Sequence, residues 1–305
     1  MEKLLEIQRR FFRKEKNQFL DAVEEKLTEY GYEFERKSLG NIVKSVNLET
    51  KNDNPDFIFI AHYDTGVTMP FWFHPLSKLF GVNSIVSIMV IVVLLRVLNG
   101  VTSSLLPCCV SLWDTTFYIN WSRVVLFILL FQMLIPNKKN SDDNTSGVIA
   151  LLQLAKKMKE NGMDNVKFIF VDNEEWGLFG SKAHRKFLER EQLISPHCKV
   201  ISIDCVGGSG KIPLIIRNGK SEYVDFFQKE MQKEFELCKS DRMLLPFSDN
   251  YSFRKYGALN ISFVERAKIP VGYYISNVHT SKDKEIDLPK IEKLTDVLID
   301  VIKKV

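Results

Sequence analysis

Short apolar runs alternate along this chain with stretches of helical periodicity, and that alternation constrains the fold more than any other feature. Residues 56–61 (DFIFIA), Val166–Val171 (VKFIFV), 199–204, 213–217 and 260–264 read as strands. The first is apolar enough to be buried on both faces. Helical periodicity marks residues 145–159, Phe179–Arg190, 221–235, 250–256 and 289–303. Residues 32–38 and 41–48 read as a hairpin turning at Leu39-Gly40. Strands separated by helices imply an α/β fold, with a mainly parallel central sheet flanked by helices. In such sheets the chemistry collects where the strands end at their carboxyl edge.

The strand ends are occupied accordingly. The first exits into His62-Tyr63-Asp64, the second into Asn173-Glu174-Glu175 and the third into Asp204. Ser141-Asp142-Asp143-Asn144 precedes a helix, and Val278-His279-Thr280 comes late, followed by Asp283. Each alone has an ordinary explanation: an Asp before a helix is usually a cap, and paired glutamates are usually a solvated face. Together on one sheet edge they are different, because several carboxylates cannot share a cleft without compensating cations. Mixed histidine and carboxylate ligands suit zinc or a related divalent ion. A carboxylate shared by two ions gives a two-metal arrangement, with one glutamate of the pair free to act as a base.

The string HYD…DDNTSGVIALLQLA…NEEWGLFGSKAH…SIDCVG…SDNYSF…VHTSKD resembles the co-catalytic zinc exopeptidases of the bacterial leucyl aminopeptidase and vacuolar aminopeptidase Y type. The likeness runs from Asp56 to the C-terminus, apart from one insertion. It implies a zinc-exopeptidase-like fold and two Zn2+ ions, for which Co2+ or Mn2+ can substitute. One ion would be held by His62, Asp143 and Asp204, the other by Asp143, Glu175 and His279. The resemblance makes Glu174 the general base toward a metal-bridging water and Asp64 the residue orienting His62. It also implies a cis Asp143-Asn144 peptide, an aminopeptidase activity on peptides, and supporting places for Asp283 and Ser248-Asp249. Two departures stand out: 81 positions separate His62 from Asp143, and the usual SDH motif reads Ser248-Asp249-Asn250. Two other outcomes share much of this pattern: a glutaminyl cyclase-like single-zinc acyltransferase, and a non-catalytic binding module like the transferrin-receptor ectodomain. Arg217, Arg254 and Arg266 are available to a carboxypeptidase-like site, although nothing in the sequence brings them to the metals.

The long separation has a compositional cause. The 59 residues 79–137 carry three charges (Arg96, Asp114 and Arg123) in a chain that is 26% charged. Residues 79–98 are long and apolar enough to span a bilayer, and 117–135 form a weaker candidate. The loop 99–116 lacks Lys and Arg, whereas Lys78, Lys138 and Lys139 flank the outer ends. The positive-inside rule then predicts a two-span helical hairpin in the cell membrane, with the catalytic domain in the cytoplasm. The alternative is a soluble apolar lid. The expected organisation is residues 1–70 and 140–305 forming one peptidase domain interrupted by an insertion at 71–139.

A net charge of +4, spread along the chain, gives no sign of a nucleic-acid partner. Five cysteines without CxxC spacing argue for a reducing compartment. The N-terminal 27 residues read as one helix, with Leu4, Phe11, Phe12, Phe19, Val23 and Leu27 on its apolar face. Arg9, Arg10, Arg13, Lys14 and Lys16 are expected on a solvated face, or against an anionic membrane surface.

Overall fold

The computed structural model describes residues 1–69, 73–80, 96–97, 107–112, 115–120, 131, 134–217, 222–242, 248–268 and 272–305. The chain divides into two compact units. One comprises Met1–Gly66, Asn137–Glu265 and Ile275–Val305, and the other Val67–Pro136 with Arg266–Tyr274.

The first unit is built on a mixed, mostly parallel sheet. Its strands are β1 (Phe34–Leu39), β2 (Ser45–Thr50), β3 (Phe57–His62), β6 (Val166–Val171), β7 (Lys199–Ile203), β8 (Ile212–Arg217), β9 (Lys239–Arg242) and β10 (Leu259–Arg266), in the order β1-β2-β6-β3-β7-β10-β8-β9. The central strands β6, β3, β7 and β10 run parallel, as expected for strands joined through helices. β1–β2 and β8–β10 add antiparallel pairs toward the edges. Central β3 shows why the apolar run is needed. Its Phe57, Phe59 and Ala61 enter one hydrophobic cluster, while Ile58 and Ile60 enter the cluster on the opposite face.

Helices α2 (Arg13–Glu29), α4 (Gly147–Glu160), α6 (Glu222–Glu234) and α7 (Leu288–Ile302) supply the first cluster. α5 (Phe179–Arg190) supplies Leu188 to the second. α7 starts where the Asp287 side chain accepts the Lys290 amide at 3.0 Å, with Pro289 in its first turn. The amino-terminal stretch is two helices, α1 (Glu2–Glu6) and α2, rather than one, with residues 7–12 between them. This corrects the single-helix expectation: Phe12 caps α2 and lies exposed, whereas Arg10 and Lys16 are buried instead of solvated.

The second unit contains α3 (Phe73–Phe80) and an antiparallel pair, β4 (Pro107–Leu112) with β5 (Thr115–Asn120), in register from Pro107–Asn120 to Leu112–Thr115. Its ends meet where Val67 bridges Pro136 and the Thr68 amide donates to the Ile135 carbonyl at 2.7 Å. Most of the two expected spans, 79–98 and 117–135, lies outside the described residues. Where 117–120 is described it forms a strand, not a helix. Thr115, Thr116, Phe117, Tyr118 and Ile119 are β-branched or aromatic, which fits a pleated strand better than a helix start. Among the described residues no helix is long and apolar enough to cross a membrane.

Candidate metal centre

Three parallel strands deliver the first part of the site. β3 ends on His62, which is buried, and the chain turns so that Asp64 lies beneath it with its Oδ1 3.6 Å from His62 Nδ1. Asp64 accepts the amide of Glu174 on Oδ1 at 3.0 Å and that of Glu175 on Oδ2 at 3.3 Å. One carboxylate therefore fixes both the histidine strand end and the glutamate loop after β6. Residues 141–146 form a turn before α4 that is kinked at Asp143 and Asn144, whose backbone angles are not helical, and the Asp143-Asn144 peptide is cis, as the family resemblance implies. Asn144 accepts the Gly147 amide at 2.9 Å and donates to the Ile203 carbonyl at 3.0 Å, tying this turn to the end of β7.

The functional atoms converge on Asp143. Its Oδ1 lies 3.3 Å from His62 Nε2, which is also 3.5 Å from Asp204 Oδ1. Its Oδ2 lies 3.4 Å from His279 Nε2, which is 3.7 Å from Glu175 Oε2. Two three-residue groups result: His62, Asp143 and Asp204, then Asp143, Glu175 and His279, with ligand atoms within 4.8 Å of one another in each. The sequence reading named these five positions, and the structure brings all five together.

The donor set fits divalent cations. Glu175 Oε1 is buried with no hydrogen-bond partner among the described residues, which is costly for a carboxylate unless a cation faces it. A Cβ at Gly66 would sit 2.5 Å from Glu175 Oε2, so a glycine is needed for this carboxylate to lie where it does. Burial pushes Glu175 up to about 8, the nearby His279 opposing it and Asp143 adding to it. Burial also raises Glu174 well above the ordinary range; His62 opposes this, while the charges of Asp249, Glu175 and Asp204 reinforce it. Asp64 and Asp143 go the other way: burial, the largest single influence, raises each, but His62 together with Lys16 at Asp64, and with His279 and Arg10 at Asp143, lowers them by more.

Three further carboxylates complete the surroundings. Asp283 accepts the amides of Asp142 at 2.7 Å and Asp143 at 3.2 Å, and burial followed by the charge of Asp142 pushes it up to about 8. Asp142, which the sequence offered only as a neighbour of Asp143, accepts the amides of Gly207 and Gly208, each at 2.7 Å. Burial raises it to about 6. Asp249 is buried, has an Oδ1 without a partner among the described residues, and is pushed by burial up to about 7. Asn250, in place of the usual histidine, is buried and donates to the Ile216 carbonyl at 3.2 Å. Of the three arginines considered for a carboxylate pocket, Arg217 pairs with Asp225 at 2.5 Å and Arg254 donates to the Tyr251 carbonyl at 3.3 Å. Arg266 belongs to the second unit.

The chain shares its fold with solved structures of low sequence identity. A Zn-dependent exopeptidase from Parabacteroides distasonis matches at 14% identity with a TM-score of 0.62, covering 98% of this chain and 94% of that one. The glutaminyl cyclase of Bacteroides thetaiotaomicron matches at 15% identity and a TM-score of 0.64, covering 100% and 95%. The LapA aminopeptidase of Legionella pneumophila matches at 12% and 0.58, covering 98% and 69%. No curated protein matches the sequence. Residues 133–302, more than half of the chain and including Asp143, Glu174, Glu175, Asp204 and His279, match the model of peptidase family M28, and the chain belongs to that family.

Proposed function

We propose that the protein is a two-zinc exopeptidase that removes amino-terminal residues from peptides. The observation carrying this reading is the position of Asp143, whose two oxygens each face a different histidine. His62, Asp143 and Asp204 would hold one ion, and Asp143, Glu175 and His279 the other. Bound there, the ions would supply Lewis acidity, polarising the scissile carbonyl and acidifying a water. Glu174 is the general base: its half-buried carboxylate has a raised proton affinity, suited to taking a proton and returning it to the leaving amine. Asp64 holds the backbone of Glu174 and Glu175 so that both side chains face the same cleft.

A second reading is favoured by the likeness to glutaminyl cyclases, which carry the same fold. Two measurements separate them. The peptidase reading expects two zinc ions per chain and release of nitroaniline from aminoacyl-nitroanilides. One ion per chain, with cyclisation of amino-terminal glutamine and no nitroanilide hydrolysis, would establish the cyclase. No activity of either kind with zinc or cobalt supplied would leave a binding module.

We also propose that residues 79–135 anchor the protein in the cell membrane with the peptidase unit in the cytoplasm. The support is compositional: three charges in the 59 residues 79–137, with lysines only beyond its ends, at Lys78, Lys138 and Lys139. In sequence the insertion begins after Gly66, two residues past Asp64, and ends before Asn137, six residues ahead of Asp143. Peptides at the membrane surface are therefore the expected substrates. Alkaline carbonate extraction should leave the full chain in the membrane pellet, and its release into the supernatant sinks the anchor.

A further inference from the structure

The two loops that carry His62 and Asp143 are far apart in sequence, and the chain between them runs through the second unit. The ends of that connection are joined to each other, by the Val67–Pro136 bridge and by the Asn137 amide donating to the Gly66 carbonyl at 3.0 Å. Nearer the ligands themselves, the hydrogen bonds linking the two loops come from the amino-terminal segment. The Arg10 amide donates to Thr65 Oγ1 at 2.9 Å and its carbonyl accepts the Thr65 amide at 3.3 Å. The Arg10 guanidinium is fully buried against the Phe19 ring, 4.3 Å from its centroid. Its Nε donates to the Tyr63 carbonyl at 2.5 Å, and its Nη1 donates to Thr145 Oγ1 at 2.9 Å and to the Ile7 carbonyl at 2.8 Å. One planar fork thus joins the residue after His62 to the turn after Asp143, a geometry that lysine cannot reproduce.

The neighbouring residues extend the same grip. Gln8 Oε1 accepts from the Asn140 amide at 2.9 Å and from Ser141 Oγ at 3.2 Å, and the Gln8 carbonyl accepts from Asn140 Nδ2 at 2.8 Å. Thr145 Oγ1 donates in turn to the Asn140 carbonyl at 2.6 Å. On the next turn of chain, Lys16 Nζ, also buried, donates to Asp172 Oδ1 at 2.5 Å and Asn173 Oδ1 at 2.9 Å, just ahead of Glu174 and Glu175. Three loops bearing the candidate ligands are therefore held from one short stretch. The charges around the guanidinium point the same way, since Asp143, Asp64, Asp283 and Glu175 all attract it.

We infer that residues 8–16 form a clasp on the metal centre, with Arg10 as the positioning residue that sets the His62 and Asp143 loops at the spacing a shared ion pair requires. The inference deepens the metal-centre reading and rests on it. Purified full-length protein, freed of metal, is titrated with Zn2+ against a chromophoric chelator; the melting temperature of each metal-free variant and its kcat and KM are measured alongside. Groups that orient metal ligands typically change metal affinity by about 10–100-fold when removed. Arg10→Met is expected to weaken zinc binding by about that factor and to lower kcat more than it raises KM. Arg10→Lys should recover part of the loss, and Arg190→Met, an exposed cation beside Glu191, none of these effects. An Arg10→Met protein that melts lower yet binds zinc and turns over like the wild type shows a merely structural arginine and overturns the clasp. If Arg10→Met does not fold, Arg10→Lys and Thr145→Val take its place, and wild-type zinc affinity in both overturns it. A wild-type chain that takes up no divalent ion overturns the clasp and the metal centre together.

Discussion

Glu174 and Glu175 are adjacent in the chain, share Asp64 as the acceptor of their amides, and carry different work. Glu175 reaches toward His279 and leaves one oxygen without a hydrogen-bond partner among the described residues, whereas Glu174 belongs to neither group of candidate ligands. Glu174→Gln is therefore expected to keep the wild-type zinc content while losing at least about 100-fold in kcat, the usual scale of a general base. Activity within about 10-fold of wild type would show that another group takes the proton. Asp143→Ala, by contrast, should lose both ions at once, because both triads need it; elemental analysis after dialysis gives the answer. Glu174 and Glu175 were legible because they stand where the apolar run of β6 stops, and Asp143 because the DDNTSG string before a helix carries the family resemblance. Arg10 was not legible, since it lies in a run with Arg9, Arg13, Lys14 and Lys16 that reads as a solvated face. Only the three-dimensional placement of Tyr63 and Thr145 reveals that its partners are buried.

At the scale of elements, the contact between α5 and the end of β6 controls how the glutamate loop is presented. Gly180, in the first turn of α5, lies so close to Asp172 that a Cβ would collide with the Asp172 carbonyl oxygen. The Gly180 carbonyl also accepts from Asn47 Nδ2 at 3.0 Å, leaving the helix little freedom to back away. Gly180→Ala should cost about 1–3 kcal/mol or more by urea unfolding, because overpacking must be relieved by backbone movement. Gly162 has φ +65° but open space around it, so Gly162→Ala should carry only the left-handed backbone cost of about 1 kcal/mol, with no overpacking. Equal costs for the two would refute a close-packed α5–β6 junction. β6 and α5 themselves were readable at the residue level, because Val166–Val171 is an apolar run broken only by Lys167 and Phe179–Arg190 keeps a helical period. Lys167 inside that run is tolerated because it is buried 3.6 Å from Glu49. β9, with the sequence KSDR, carried no apolar signal at all. The β4–β5 pair was read as a loop and a helix start because short apolar runs do not distinguish strand from helix by periodicity.

At the scale of the whole molecule, the acidic cluster makes folding and metal uptake one equilibrium. Besides Glu174 and Asp172, which burial also raises, four carboxyl groups have folded-state values above their ordinary ones: Glu175 and Asp283 at about 8, Asp249 at about 7 and Asp142 at about 6. In the unfolded chain each would ionise near pH 4. Between those limits the folded, metal-free protein holds more protons than the unfolded chain, so the slope of stability against pH is negative. The stabilisation is complete below about pH 4 and is lost as pH rises through about 6–8, where the folded groups must ionise beside one another. Asp64 and Asp143 have lowered values and act with the opposite sign, but only as pH falls below the ordinary carboxylate range. Divalent ions reverse the dependence by binding the ionised form, which stabilises the fold by an amount that grows with the logarithm of free ion concentration above its Kd. The metal-free protein should therefore melt at a lower temperature near pH 8 than near about pH 5.5, and excess Zn2+ should raise the melting temperature most at the higher pH. Parallel thermal melts in chelator and in zinc across this range test the coupling. A metal-free form as stable near pH 8 as near pH 5.5 would mean that the cluster is already neutralised within the protein, and that cations are not what its carboxylates are arranged to receive.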